Sequence, residues 1–327
     1  MIESEIATSG PLSWRPTGST CSRRGARLLI RSGLLLSVLF VSLLPGNLAA
    51  EEDTALFWAL QRQGKPAGYL LGTIHSEDPR VLDFPDEFMR KISGSEVFAM
   101  EMVPDLPTLA RLTQYMQYQD GTTLESRIGP QRYAKLAAAF ESYKIPQDWL
   151  SRMKVWAAMM TLSVPPPETG LFMDFSLSLR AAGAGLQVVG LETLEQQLSF
   201  LENMPLEQQV LLLDEALAEF EQMDVLHREM VESYLDGDLS ALERVVAKQL
   251  ERLEPAARDY FMEQGIEARN HRMLEVALQQ LAQARVFIAV GALHLPGENG
   301  LIELLRRSGY EMVPLPLPLA GEPNQPE

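Results

Sequence analysis

Two short phrases join an apolar run to the pattern Gly-x-x-His. One is Tyr69-Leu-Leu-Gly72-Thr-Ile-His75, the other Arg285-Val-Phe-Ile-Ala-Val-Gly291-Ala-Leu-His294. The chain has only four histidines, and two of them stand in this phrase. Two further apolar runs end in acids. Glu96-Val-Phe-Ala-Met100 gives way to Glu101, and Leu186-Gln-Val-Val189 to Gly190-Leu-Glu192. If the four runs are parallel strands, His75, Glu101, Glu192 and His294 meet at the rim where such sheets gather ligands. Two imidazoles with one or two carboxylates suit a divalent metal. They equally suit metal-free acid–base chemistry. Glycine before each histidine would let the backbone turn sharply and leave room for a ligand.

Each residue also has a plainer reading. A histidine after a strand is commonly a hydrogen-bonded structural residue, but the doubled phrase favours a functional role for His75 and His294. Glu101 could be a strand-end carboxylate in water, and Glu192 could merely cap the next helix, since Thr193 and Glu195 are typical of a first turn. Asn270 falls on an apolar stripe with Ile266 and Met273, so its amide needs a partner, and Arg269 beside it could point to the same place. His227 and His271 lie among charged residues on helical stretches and read as solvated. Nothing in the sequence assigns a role to Asp174. His-Glu-x-x-His, Gly-x-Ser-x-Gly and a phosphate-binding glycine loop are all missing.

The elements that must position these residues follow from periodicity. Residues 55–60 and 67–71 read as a hairpin around Gln61-Arg-Gln-Gly-Lys-Pro66. Val286 to Val290, five β-branched or apolar residues in a row, read as a strand buried on both faces. Leu106 to Thr161 is helical, ending before Pro165-Pro-Pro167. Leu206 to Tyr234 reads as one long helix with Leu206, Val210, Leu213, Leu217 and Phe220 on one face. Asp238 caps another, Pro255 opens a third that runs to Leu281, and residues 301–307 and 310–313 supply a last helix and strand. Strands alternating with helical blocks define an α/β fold with a central mixed, mostly parallel sheet flanked by helices. The expected organisation is a signal peptide over 1–50, one α/β domain over 51–318 with helical insertions at about 105–165 and 206–260, and a disordered tail over 319–327.

The first fifty residues carry a basic region, an apolar run from Leu34 to Leu44 and the small pair Ala49-Ala50, which predicts a secretory signal cleaved near Glu51. The run is short for a membrane span, so no stable membrane insertion is expected after cleavage. An uncleaved anchor is the alternative. The only cysteine, Cys21, precedes the run, so a mature chain would have no disulfide and no thiol nucleophile. Of 28 basic and 44 acidic residues, five and two lie in the first fifty, leaving 23 against 42. That net −19 argues against nucleic acid as a partner.

Together, Tyr69-Leu-Leu-Gly-Thr-Ile-His75, Met100-Glu101, Gly190-Leu-Glu-Thr193, Arg269-Asn270 with Met273, and Val290-Gly-Ala-Leu-His-Leu-Pro-Gly-Glu-Asn-Gly-Leu301 resemble the TraB/GumN family over roughly residues 55–315. That family includes the Tiki metalloproteases, divalent-metal-dependent peptidases that act on secreted Wnt proteins. The wider superfamily resembles erythromycin esterases and a haem-binding, iron-regulated lipoprotein of the ChaN kind. The resemblance implies an exported, periplasmic or secreted, peptidase-like hydrolase acting on a peptide or small molecule. It implies His75, His294 and Glu101 as ligands of manganese, cobalt or zinc. Glu101 would serve as ligand or general base, and Arg269 and Asn270 would hold an oxyanion or orient a ligand. The rival is a non-catalytic haem-, metal- or peptide-binding protein using the same rim.

Overall fold

The computed structural model describes residues 54–317 and residue 319. The expected signal segment, 1–50, and all but the first residue of the expected tail lie outside them. Each apolar run forms a strand: β1 (Phe57–Arg62), β2 (Lys65–Thr73), β3 (Val97–Met100), β4 (Gln187–Gly190), β5 (Val286–Gly291) and β6 (Glu311–Leu315). They make one sheet in the order β4-β3-β5-β2-β1-β6. The first four in that order run parallel, while β1 and β6 extend the sheet antiparallel. The fold is the expected α/β arrangement with a mixed, mostly parallel sheet.

The sequence of β5 explains its central place. Val286, Phe287, Ile288, Ala289 and Val290 are all buried, so both faces need cover. Phe287 is ringed by Phe57, Tyr69, Phe88 and Phe98, with centroids 5.7–6.0 Å away. The two Gly-x-x-His strands are thereby direct neighbours, with Gly72 paired to Val290 and Thr73 to Gly291. β3, which delivers Glu101, flanks β5 on its other side. Chain order thus reverses around β5, and a crevice at such a reversal is where open α/β sheets bind ligands.

Neither motif glycine occupies the left-handed region. Space, not a sharp turn, requires them. A Cβ on Gly72 would sit 3.0 Å from Leu295 Cδ2 and 3.1 Å from Ala292 Cα. Gly72 therefore lets the end of β2 nestle against the 3-10 turn Ala292–His294 that carries the second histidine. Gly72→Ala is expected to cost about 1–3 kcal/mol by overpacking, read as a lower denaturation midpoint; an unchanged midpoint would show that the turn can yield.

The long helix expected over 206–234 is broken. Leu206–Glu219 and Met223–Leu235 are separate helices joined by a 3-10 turn, Phe220–Gln222. The two halves serve different cores. Leu213 joins Leu136, Phe140, Trp156 and Leu162 in a core built largely by the first insertion. Val231 and Tyr234 pack into the sheet's own core with Leu239 and Leu242. One straight helix could not aim both stripes. Residues 206–260 form helices, as expected, and contribute no strand to the sheet. Asp238 does cap Leu239–Leu250, accepting from the Ser240 N–H. The stretch from Pro255 to Leu281 is helical, but Phe261–Glu267 widens to π geometry immediately before Arg269 and Asn270. Such local widening often accompanies function. Among the described residues, no helix is long and apolar enough to cross a membrane.

Candidate functional site

Glu101 leaves the end of β3 and is met by donors from three elements. Its Oε1 accepts the Gly291 N–H at 2.8 Å. Its Oε2 accepts from Arg269 Nη2 at 2.6 Å and Gln197 Nε2 at 3.1 Å. A Cβ on Gly291 would come within 3.2 Å of Oε1, so this glycine leaves room for the carboxylate. Arg269 is held in turn by Glu192, whose Oε2 accepts from Nε at 2.8 Å and Nη2 at 2.7 Å. The Arg269 side chain is 7% exposed, and that of Glu192 is fully buried. One guanidinium thus ties together the residues that follow β3 and β4. Glu192 is not the helix cap; Thr193 is, in a reciprocal pair with Gln196.

His294 closes the 3-10 turn after β5. Its Nδ1 lies 2.6 Å from Asn270 Oδ1, and Asn270 Nδ2 donates to the Asn299 carbonyl at 2.8 Å. The second bond orients the amide with its oxygen toward the ring, so Nδ1 carries the proton. The lone pair of Nε2 then points away from Asn270, and Nε2 lies 3.7 Å from Glu101 Oε1. Burial pushes the imidazole down to about 4, with the Arg269 charge assisting and Glu101 opposing. Burial alone would raise the Glu101 carboxyl, but His294, the Arg269 guanidinium and the Gly291 N–H outweigh it and hold it at about 2. At neutral pH the pair is a carboxylate beside a neutral imidazole.

These directions set an acid limit. For His294 the folded value lies below the ordinary 6.5, so between 6.5 and about 4 the unfolded chain binds the extra proton. Stability present above that window should fall by on the order of 3 kcal/mol as pH drops through it. Glu101 loses its contribution below that, between its ordinary 4.5 and about 2. Urea midpoints of chelator-treated protein across the upper window should fall with acid, and His294→Gln should flatten that slope. Parallel slopes in the two proteins would refute the assignment.

His75 has other partners. Its side chain is 52% exposed, and Nδ1 lies 3.5 Å from Asp174 Oδ2. Its ring stacks on Phe172, with centroids 3.6 Å apart. The structure therefore brings together Glu101, Glu192, Arg269, Asn270 and His294, and gives His75 to Asp174 and Phe172. His227, expected in solvent, is half-buried; its Nε2 lies 3.3 Å from Ser76 Oγ, and burial lowers its pKa. His271 is exposed as expected. Gln197 was not read from the sequence. Nothing in its spacing sets it apart from Gln196, and only the packing of its helix directs it at Glu101.

The donor chemistry suits a divalent ion at one corner. His294 Nε2 and Glu101 Oε1 are acceptors facing one another, and Asn270 fixes the histidine tautomer that a metal needs. On the residue that faces His75, Asp174 Oδ1 is a buried acceptor without a hydrogen-bond donor among the described residues. Among the described residues, however, no group of three or more His, Cys, Asp or Glu side chains is close enough to hold a metal.

Residues 56–314 match the TraB/PrgY/gumN family. Among similar proteins, Metalloprotease TIKI1 of Danio rerio is 24% identical over 85% of this chain and 66% of its own length. Metalloprotease TIKI1 of Homo sapiens is 24% identical over 83% of this chain and 63% of its own length. The chain thus spans about two thirds of those metalloproteases. Uncharacterized protein YbaP of Escherichia coli (strain K12) is 23% identical over 73% of this chain and 87% of its own length. No solved structure matches the chain.

Proposed function

The chain belongs to the TraB/PrgY/gumN family, and on that premise we propose that it is an exported, metal-dependent hydrolase of the peptidase kind. The observation that carries this reading is the pair formed by the Glu101 carboxylate and the Nε2 lone pair of His294, fixed by Arg269 and Asn270. That relatives sharing most of this chain's length are named metalloproteases supports it. When bound, a divalent ion such as manganese, cobalt or zinc supplies Lewis-acid polarisation of a scissile carbonyl. His294 Nε2 and Glu101 Oε1 would hold it, and His75, which lies against Asp174 and Phe172, would join them only by moving toward the pair.

The other roles divide along the hydrogen bonds. A carboxylate held at about 2 is a weak proton acceptor near neutrality, so Glu101 serves better as ligand than as general base. Arg269 spends its Nε and Nη2 donors on Glu192 and Glu101, and Asn270 spends its amide on His294 and the Asn299 carbonyl. Both therefore orient ligands in preference to holding an oxyanion. Export rests on the basic, apolar and small-residue order of residues 1–50; N-terminal sequencing of the periplasmic or secreted protein should begin near Glu51. The acidic chain favours a peptide or small-molecule substrate over nucleic acid.

The test is to strip the protein with chelator, restore manganese, cobalt or zinc singly, and follow a peptide library by mass spectrometry. Cleavage that needs an added ion is expected. Ion binding without cleavage would overturn the hydrolase and leave a binding protein, and a strong absorption band on adding haem would name its ligand.

A further inference from the structure

The loop that carries His75 is fastened to a second segment, residues 168–174, at several points. The Glu77 carboxylate accepts the Glu168 N–H at 2.7 Å, the Thr169 N–H and hydroxyl at 3.1 and 2.9 Å, and the Gly170 N–H. A backbone bond from Met173 N–H to the Ser76 carbonyl, at 3.1 Å, ties the other end. Between these ties Phe172 lies flat on the His75 ring, its plane only 19° away from parallel. One residue past the second tie, Asp174 sets Oδ2 against His75 Nδ1. Tyr234 holds the start of the loop, donating to the Gly72 carbonyl at 2.8 Å.

An exposed imidazole ordinarily samples several rotamers. This one has a ring on its face and a carboxylate at Nδ1. The arrangement repeats, with different residue types, what Asn270 does for His294: a side-chain oxygen from a helix faces Nδ1, and Nε2 is turned away from that oxygen. The strap must itself be held, because its residues 168–172 lie between Pro165-Pro-Pro167 and the helix Met173–Gly183, outside any regular element. A carboxylate accepting three consecutive backbone N–H groups can do this without a core.

We propose that Glu77, Phe172 and Asp174 are positioning residues for His75: Glu77 latches the strap, the strap lays Phe172 and Asp174 on the ring, and the ring is thereby set with Nδ1 toward Asp174 and Nε2 turned away from it. The functional weight of this placement rests on the reading of His75 as a ligand, but the placement can be measured alone.

The measurement is histidine ring NMR on metal-free, full-length protein, assigned with His→Gln variants of the four histidines. In the wild type, His75 should carry its neutral-form proton on Nδ1, and its ring protons should be displaced by the Phe172 ring. Phe172→Ala and Glu77→Ala should both move those protons toward free-histidine positions while His294 stays in place. Asp174→Ala should shift the proton from Nδ1 toward Nε2. Glu77→Gln, which keeps one acceptor oxygen, should give a shift between wild type and Glu77→Ala, and covers the case in which the alanine variant does not fold. Unmoved His75 resonances in both Glu77 variants would overturn the latch, and so would His294 shifts as large as those of His75, which would mean general loosening. Since neither metal nor substrate is present, a correctly set His75 in a protein that cleaves nothing would sink the hydrolase reading alone. Metal-dependent cleavage with an unmoved His75 would sink this one alone.

Discussion

Replacing Arg269 by methionine should be the most damaging single change in the fold, at about 3–5 kcal/mol of stability. Arg269 is buried between two carboxylates, with Glu192 fully buried and Glu101 20% exposed. Removing the guanidinium leaves both oxyanions without their charge partner in a dry setting, and the cost is their desolvation rather than the value of the lost bonds. Arg272 cannot take over, as its closest approach to Glu192 is 3.5 Å from a partly exposed position. Lysine is a poor substitute too, because one ammonium cannot reproduce a planar fork that engages two carboxylates at once. Urea denaturation should show the loss, and Glu192→Leu added to Arg269→Met should recover a large part of it. A loss under about 1 kcal/mol, or no recovery in the double variant, would mean that water reaches these carboxylates and that the triad holds nothing together.

That triad also marks what can be read from a linear chain. The apolar runs ending at Met100 and Val290 were legible because a strand buried on both faces needs them, and β5 shows the cover that such a strand demands; the shorter run ending at Val189 is only partly buried, at the edge of the sheet. The histidines and Glu101 were legible as polar groups stranded at the ends of those runs. Asn270 was legible as a polar residue interrupting an apolar stripe, which always requires a partner. Glu192 was ambiguous, since an acid near a helix start has a local explanation, and only the approach of Arg269 from another helix distinguishes the two. The break at Phe220–Gln222 was invisible because no proline or glycine marks it; it arises from two cores pulling one amphipathic stretch in different directions. The partners of His75 were hidden for a similar reason. Glu77, Phe172 and Asp174 become neighbours of that ring only through a loop contact across about a hundred residues.

The two motif histidines should separate stability from function in opposite proportions. Both are proposed ligands, so His75→Ala and His294→Ala should each lower metal affinity by at least about 100-fold, since even outer-shell losses cost about 10–100-fold. Hydrolysis should vanish in both. Stability should not change alike, although the position of both residues after self-sufficient strands suggests that it would. His75 is half in water, and its alanine variant should unfold within about 0.5 kcal/mol of the wild type. His294 is 4% exposed, and its removal strands the Asn270 oxygen in a cavity, at about 2–4 kcal/mol. Glu101→Gln is a harsher probe than it looks. Three donors converge on this carboxylate, from Gly291, Arg269 and Gln197, and an amide NH2 must point at one or more of them. It should therefore lose both metal and stability, whereas a general base could be lost with metal retained. Calorimetric titration with manganese, cobalt and zinc, run beside urea unfolding on all three variants, separates these outcomes. Full metal affinity in His294→Ala would remove the ligand pair on which the hydrolase reading stands, and full affinity in Glu101→Gln with activity gone would return Glu101 to the role of base.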